Sequence, residues 1–324
     1  MTDLLSPWTR PRAAGQPPPL AVGVMNFGTK TPELEAQAIV DRALERGLHH
    51  FDTANVYGEG ESERILGRAL KGRRDQAVIA SKVGIGTMRG KAEGLAPRRI
   101  HQAIDESRER LGVDTIDLYY LHKPDRATPI EATLEVLAEL TRAQKIRAYG
   151  FSNYGSWETL EAIVLADRHG YPRPVIGQVL YNALIREVEI EYLRFAARFG
   201  LHTTVYNPLA GGLLAGHYAT ETIPSGSRFD QNPMYQRRYW TERGLDHVGL
   251  YRQLATEAGM SVLELAYRWL ASRPGVDSIL LGPRTVAHLD AAIDACSRGI
   301  EPALIAQVDA IHREFLGTDT HYVR

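Results

Sequence analysis

The chain has 324 residues, 44% of them hydrophobic, and a formal net charge of -1. This balance gives no indication of a nucleic acid or an anionic membrane as a partner, and no apolar run approaches the roughly 20 residues of a membrane helix. The single cysteine, Cys296, excludes an internal disulfide and any cysteine-based metal site, and it fits a cytoplasmic protein.

Short apolar segments alternate with amphipathic segments along most of the chain. The pattern predicts strands at 20–24, 48–51, 77–82, 115–121, 145–151, 175–179, 201–206 and 277–281. It predicts helices at 32–46, 61–71, 97–111, 130–142, 156–168, 188–199, 246–258, 261–272 and 287–297. Eight strands alternating with helices at this length indicate a closed (β/α)8 barrel, the TIM barrel.

The predicted barrel forms one domain, residues 20–324, after an irregular N-terminal tail, residues 1–19. It carries a long loop at 207–245 and a C-terminal extension at 299–324. The alternative is an open doubly wound sheet, which requires a G-x-G-x-x-G turn after its first strand. Residues 23–28 do not supply that turn, so the closed barrel is the better interpretation.

Four polar residues occur where predicted strands end. Asp52 ends the second strand, with Tyr57 five residues later, Lys82 ends the third, and His122 follows the fourth. Active sites of barrels lie at this face. A tyrosine there can donate a proton to a substrate oxygen if Lys82 or His122 lowers its pKa from about 10. Each residue alone also fits a structural role, such as a helix cap or a packed loop aromatic.

The later strands add further polar groups at the same ends. Amides and hydroxyls there can bind a carboxamide, a tyrosine ring can stack on a flat heterocycle, and an arginine at a helix start suits a phosphate. Ordinary turn chemistry and surface charge are the alternatives. The residues concerned are Ser152, Asn153, Gln178, Tyr206, Asn207, Gly282 and Arg284. His49 and His50 point to opposite faces of a strand, and we predict no metal site.

Several segments resemble the aldo-keto reductase superfamily, in the right order over roughly residues 20–298. They are FDTANVYGEGESERILGRAL (51–70), SKVG (81–84), LYYLHKPD (118–125), GFSNY (150–154), QVLYNALIREVE (178–189) and YNPLAGGLLAGHY (206–218). Within the superfamily, NYGSWE (153–158), YQRRYW (235–240) and the C-terminal Tyr-Val-Arg are similar to the aflatoxin-aldehyde and succinic-semialdehyde reductase branch.

The resemblance implies a (β/α)8 barrel that reduces aldehydes and ketones with NAD(P)H. In that case Tyr57 is the proton donor, Lys82 lowers its pKa, Asp52 pairs with Lys82, and His122 orients the substrate carbonyl. Lys82 would favour the phenolate form of Tyr57 by its charge. Hydrogen bonds from Tyr57 and His122 would meet the charge that develops on the oxygen.

The resemblance also implies a cofactor site. Ser152, Asn153 and Gln178 would hold the nicotinamide amide, Tyr206 would stack on its ring, and Met25 would lie near its ribose. The loop 207–216 would follow the pyrophosphate, because its glycines allow close backbone approach. The positions implied for the pyrophosphate and adenosine ends are Asn207, Leu209, Gly211, Gly212, Gly282, Arg284 and His288.

The chain departs from the family pattern after the eighth strand. The glutamate and asparagine that contact adenine in the family are Ala291 and Ala292 here, and the family's glutamine is His288. Arg284 can still pair with a 2'-phosphate, so NADPH is expected before NADH.

On the substrate side, Arg238 and Arg324 match arginines that the related branch associates with acidic aldehydes. The resemblance therefore implies a small carbonyl substrate with a carboxylate or a second carbonyl, whereas the alternative is that Arg237 and Arg238 are solvated loop charges. Two other functions stay open, a nucleotide-binding regulatory protein like the potassium-channel β-subunits and a barrel lyase or isomerase without nucleotide. The family includes dimers and higher assemblies, so a homo-oligomer is compatible with the sequence.

Overall fold

Eight parallel strands close into a barrel in the computed structural model, which describes residues 4–86, 93–216, 218 and 222–317. Each strand pairs with the next in chain order, and β1 pairs with β8 to complete the ring. The strands are β1 (Leu20–Gly23), β2 (His50–Asp52), β3 (Val78–Val83), β4 (Ile116–Leu121), β5 (Ile146–Ser152), β6 (Ile176–Leu180), β7 (His202–Tyr206) and β8 (Ser278–Leu281). The predicted TIM barrel is confirmed, and the open sheet is not formed.

Helices follow the strands and cover the outside of the barrel. They are α1 (Glu33–Glu45), α2 (Glu61–Ala69), α3 (Pro97–Leu111), α4 (Ile130–Arg142), α5 (Ser156–His169), α6 (Tyr192–Phe199), α7 (Pro233–Tyr239), α8 (Glu242–Glu257), α9 (Val262–Ser272), α10 (Val286–Cys296) and α11 (Pro302–Leu316). None of these helices, which all lie in the described ranges, is long and apolar enough to cross a bilayer. All residues of β3 and β4 are buried, as expected for parallel strands covered by helices.

The helices depart most from the sequence prediction at three places. The helix predicted at 188–199 begins only at Tyr192, because a 3₁₀ turn, Glu187–Glu189, precedes it. The long loop 207–245 contains α7 and the start of α8, which the side chains of Asn232 and Thr241 cap. The C-terminal extension contains α11, which begins at Pro302 and buries an apolar face against the barrel.

The N-terminal tail is ordered across the base of the barrel. Trp8, in a 3₁₀ turn over Ser6–Trp8, is only 5% exposed, and its ring meets the His50 ring edge-on at a centroid distance of 4.1 Å. The Arg12 N–H donates to Asp277 Oδ1 at 2.7 Å, and a ring nitrogen of His202 lies 2.8 Å from the Arg10 carbonyl oxygen. The tail therefore closes the end of the barrel opposite to the carboxyl ends of the strands.

Acid destabilisation is expected from His50 at this base. Both ring nitrogens are buried without a hydrogen-bond partner among the described residues. Burial, followed by the charges of His202 and Lys82, lowers its pKa to about 3. Between pH 6.5 and 3 the unfolded chain binds a proton that the folded chain does not, so stability is unaffected at pH 7 and falls as the pH falls below 6.5.

Between pH 7 and pH 5, the wild type should lose about 2 kcal/mol more stability than His50→Leu. The variant lacks the imidazole that takes up a proton when the wild type unfolds. Urea unfolding at the two pH values measures the difference. Equal losses in both proteins would show that His50 is not protonated on unfolding.

Candidate active site

The four residues singled out at strand ends lie on one face of the barrel. Asp52 is the last residue of β2, Lys82 is the next-to-last residue of β3, and His122 directly follows β4. Tyr57 begins a 3₁₀ turn, Tyr57–Gly60, in the connection between β2 and α2. Parallel pairing of β2 with β3 and of β3 with β4 brings these strand ends side by side.

Lys82 and Asp52 form a buried ion pair. The Lys82 Nζ contacts Asp52 Oδ1 and donates to the Thr53 carbonyl oxygen at 2.7 Å. Their side chains are 0% and 1% exposed, respectively. The second carboxylate oxygen, Oδ2, accepts from Gln178 Nε2 at 2.9 Å. Burial lowers the pKa of Lys82 and the charge of Asp52 opposes that shift, so the ammonium depends on its partner.

Tyr57 lies between Lys82 and His122. Its hydroxyl is 3.4 Å from His122 Nε2, and the two rings meet edge to face with centroids 5.6 Å apart. The Lys82 Nζ lies over the Tyr57 ring, 5.1 Å from its centroid. Tyr57 as a whole is half-buried.

The pKa of Tyr57 shifts in the direction opposite to the sequence expectation. Burial of the hydroxyl and the negative charge of Asp52 raise the pKa well above its ordinary value, and Arg228 opposes the shift. Burial, which the sequence could not show, is the largest cause of this shift, and the effect of Lys82 on the Tyr57 phenolate stays a prediction. Burial, with the positive charges of Lys82 and Lys123, lowers the pKa of His122 well below its usual range. At neutral pH Tyr57 therefore holds its proton, and His122 is neutral.

Asn153 and Tyr206 connect to this group. Asn153 Nδ2 donates to the His122 carbonyl oxygen at 2.9 Å and to Ser152 Oγ at 3.0 Å, while its Oδ1 accepts from the Tyr206 hydroxyl at 2.6 Å. Asn153 has a φ of +63°, which positions its amide at the end of β5 in a conformation that few residues adopt. Ser152, Asn153, Gln178 and Tyr206 thus lie beside Asp52 and His122 on the β5–β7 side.

The glycine-rich loop forms a 3₁₀ turn, Ala210–Ala215, directly after β7. Gly211 and Gly212 have φ of +71° and +105°, and a Cβ on Gly211 would lie 3.0 Å from the Phe229 ring. Asn207 fixes the turn, since its Oδ1 accepts from the Gly211 N–H and its Nδ2 donates to the Tyr239 hydroxyl, both at 2.7 Å. Leu209 is half-buried in the same turn.

Beyond β8, cations and two carboxylates, Glu35 and Asp230, lie near the start of α10. Gly282 and His288 are exposed, and Arg284 is half-buried. Burial and the charges of Arg284 and Arg228 lower the pKa of Lys30, so the three cations lie near one another. Glu35 Oε1 accepts from the Val286 N–H at 2.8 Å, so this backbone donor at the start of the helix already has a partner.

Lys30 and Arg228 were missed by the sequence analysis. Lys30 Nζ donates to the Gly226 and Ser227 carbonyl oxygens at 2.9 and 2.7 Å, which ties the long loop to the connection after β1. A lysine and an arginine in two distant loops carry no signal in the sequence, because only the fold brings those loops together.

The rim of the site near Tyr57 is formed by the long loop and Met25. The guanidinium carbons of Arg228 and Arg238 lie 5.4 and 5.9 Å from the Tyr235 ring centroid, and Arg228 Nη2 is 3.5 Å from Met25 Sδ. The charge of Arg238 opposes the raised pKa of Tyr206, so this exposed arginine lies on the same side. The other arginine predicted for the substrate, Arg324, lies outside the described residues.

The donor set has the chemistry that a nicotinamide dinucleotide needs: amides and a hydroxyl at the strand ends, a tyrosine ring, a glycine turn and three cations. Among the described residues, no group of three or more His, Cys, Asp or Glu side chains could hold a metal ion.

Comparison with known proteins agrees with this geometry. The model of the "Aldo/keto reductase family" matches residues 19–313. Aflatoxin B1 aldehyde reductase member 2 of Mus musculus is 34% identical over 92% of this chain and 86% of its own length, and the Homo sapiens protein of that name is 34% identical over 92% and 89%. A probable voltage-gated potassium channel subunit beta of Oryza sativa is 32% identical over 80% of both chains. The chain therefore belongs to the aldo/keto reductase family of oxidoreductases.

Proposed function

We propose that the protein reduces aldehydes and ketones to alcohols with NADPH and that Tyr57 is the proton donor. The observation that carries the proposal is the position of the protonated Tyr57 hydroxyl, 3.4 Å from His122 Nε2 and beside the buried Lys82–Asp52 pair. A phenol and an imidazole at that separation can both donate to one substrate oxygen.

The reduction adds a hydride to the carbonyl carbon and a proton to the oxygen. A bound nicotinamide supplies the hydride. Tyr57 donates the proton to the oxygen, and the neutral His122 orients the carbonyl through Nε2–H. The Lys82 ammonium lies 5.1 Å from the Tyr57 ring centroid and stabilises the phenolate left after transfer, while Asp52 keeps that ammonium charged.

The residues around this centre support a nicotinamide cofactor. Gln178 directs its Nε2 at Asp52, which leaves its Oε1 as the acceptor for a carboxamide N–H. Ser152 and Asn153 add polar groups beside it, and Tyr206 offers a ring for stacking. At the other end, Gly282, Arg284 and His288 would hold the adenosine part, with Asn207, Leu209, Gly211 and Gly212 along the pyrophosphate.

The choice of NADPH over NADH rests on charge. Arg284, Lys30 and Arg228 favour an additional phosphate, whereas Glu35 at the start of α10 repels it. We take the three cations to outweigh Glu35 and Asp230, the second of which also acts on Lys30. We also propose that residues 20–324 form one catalytic domain and that the protein is cytoplasmic.

Binding and turnover should be measured together. NADPH and NADH binding is followed by fluorescence quenching, and their oxidation is followed with 4-nitrobenzaldehyde. Tight NADPH binding with turnover supports the reductase. Tight binding without turnover would favour a regulatory protein, to which the likeness to the Oryza sativa channel subunit also points. Absence of nucleotide binding would leave a lyase or isomerase.

We further propose that Arg238 binds a carboxylate on the substrate. It is exposed at the rim, its guanidinium lies 5.9 Å from the Tyr235 ring centroid, and it acts on Tyr206 through its charge. A guanidinium in this position can pair with a carboxylate while the carbonyl group reaches Tyr57. Arg324 is the second arginine proposed for this role.

Arg238→Ala is expected to lower kcat/KM for succinic semialdehyde about 10-fold or more, since a hydrogen bond to a charged group contributes about 1.5–3 kcal/mol. Turnover of 4-nitrobenzaldehyde, which has no carboxylate, should change little. Arg237→Ala is the matched control, because Arg237 is the adjacent exposed arginine. Equal losses on the two aldehydes in Arg238→Ala would rule out the carboxylate contact.

A further inference from the structure

A buried carboxylate that is not part of the catalytic group joins the two loops next to Tyr57 and Lys82. Glu93 lies in the connection between β3 and α3, and its side chain is 1% exposed. Its Oε1 accepts from Asn55 Nδ2 at 2.7 Å and from Arg99 Nε at 2.9 Å, and its Oε2 accepts from the Gly84 N–H at 2.8 Å. The three donors come from three different segments of the chain.

Two of these donors are close in sequence to catalytic side chains. Asn55 lies between Asp52 and Tyr57, and its backbone N–H donates to the Lys82 carbonyl oxygen at 3.2 Å. Gly84 is two residues after Lys82. Glu93 therefore ties the segment that leads to Tyr57 to the end of the strand that carries Lys82.

The remaining contacts hold the carboxylate in place. Arg99 also binds both oxygens of Glu106, at 2.9 and 2.8 Å, and these partners raise the pKa of its guanidinium. Asn55 Oδ1 is buried and accepts no hydrogen bond among the described residues, so its amide is held from the Nδ2 side alone. Glu93 is the group that fixes the orientation of this amide.

We propose that Glu93 is a positioning residue for the reduction, acting through Asn55 and Gly84 to set the Tyr57 hydroxyl against Lys82 and His122. This inference rests on the proposed function. A displacement of about 1 Å in a reacting group can cost about 100-fold in rate, so a link at the base of the Tyr57 segment is sufficient to affect the chemical step.

Position 93 needs a hydrogen-bond acceptor for its neighbours. This need distinguishes Glu93 from a residue that only fills space. Glu93→Ala leaves the Gly84 N–H and the Asn55 amide without their partner, while Arg99 keeps Glu106. Glu93→Gln is different. The glutamine oxygen can keep the Gly84 N–H, and the Asn55 amide can reverse and accept from the new NH2 group with its unused Oδ1. Only the Arg99 Nε–H then loses its acceptor, and Arg99 still binds Glu106 through its other two nitrogens. The conservative variant should therefore restore most of the activity.

The test compares Glu93→Ala, Glu93→Gln, Asn55→Ala and the double variant Glu93→Ala/Asn55→Ala in the full chain. Glu106→Ala is the matched control. Glu106 shares Arg99 but contacts neither Asn55 nor Gly84, and its side chain is 45% exposed. We expect Glu93→Ala to lower kcat about 10-fold to 100-fold with little change in the KM for NADPH. Glu93→Gln and Glu106→Ala should stay within about 3-fold of the wild type, and the double variant should lose no more than the worse single variant.

The outcomes separate the two proposals. A wild type that binds NADPH but turns over no aldehyde contradicts the proposed function and the positioning role with it. Wild-type turnover with equal kcat in Glu93→Ala, or independent losses that multiply in the double variant, overturns the positioning role alone. Thermal melting reports on folding. If Glu93→Ala does not fold, Asn55→Ala decides, since a fall in kcat supports the role and an unchanged kcat overturns it.

Discussion

Tyr57→Phe is expected to lower kcat for aldehyde reduction about 10²- to 10⁴-fold, the range for a positioned general acid. The substitution removes only the hydroxyl, which lies 3.4 Å from His122 Nε2, and leaves a ring that can still pack against His122 and Lys82. NADPH affinity should therefore stay close to that of the wild type. Steady-state oxidation of NADPH and fluorescence quenching measure the two quantities.

Tyr149→Phe serves as the control for loss of a tyrosine hydroxyl. The Tyr149 hydroxyl donates to the Pro172 carbonyl oxygen at 2.6 Å, away from the catalytic group, so kcat should be unchanged. If Tyr57→Phe kept the wild-type kcat, another group would protonate the substrate oxygen and our assignment of Tyr57 would be wrong.

Lys82→Met should both destabilise the protein and abolish most activity. It leaves Asp52 as a buried carboxylate without its cation, and breaking a buried ion pair in this way costs about 3–5 kcal/mol. Gln178 would still donate to Asp52 Oδ2, but it carries no charge. Urea unfolding measures the loss of stability.

The double variant Asp52→Asn/Lys82→Met separates stability from catalysis. Removing both charges should recover much of the lost stability, because no unpaired charge remains buried. Activity should stay low, since the Lys82 charge proposed to stabilise the Tyr57 phenolate is then missing. Recovery of activity in the double variant would contradict a role for the Lys82 charge in proton transfer.

The barrel and the meeting of the candidate side chains at one end could be predicted, because both are encoded locally. Each strand is a short apolar run, and Asp52, Lys82 and His122 stand directly at the ends of such runs. In a parallel barrel the carboxyl ends of the strands all meet at one face, so the positions along the chain were enough to bring these side chains together.

The direction of the Tyr57 pKa could not be obtained in this way. It depends on how deeply the hydroxyl is buried and on how the charges of Asp52 and Arg228 act on it, and both are properties of the folded site. Lys30, Arg228 and Glu93 were missed for a related reason. Each acts by joining loops that are distant in the sequence, and no periodicity marks such contacts.

The N-terminal tail shows the same limit at the opposite end of the barrel. Its prolines and arginines predicted irregular structure, but this pattern gave no indication that Trp8 is buried against His50. The α11 helix was also not predicted, although Pro302 and the apolar Leu304 and Val308 fit a helix that packs on the barrel.

The central claim is that this site transfers a hydride and a proton to a carbonyl. The most direct measurement follows NADPH oxidation and alcohol formation together, with purified full-length protein and 4-nitrobenzaldehyde. We predict one alcohol formed for each NADPH oxidised, at a rate that falls at least 100-fold in Tyr57→Phe. NADPH that binds but is not consumed, or consumption that is equal in both proteins, would contradict the claim.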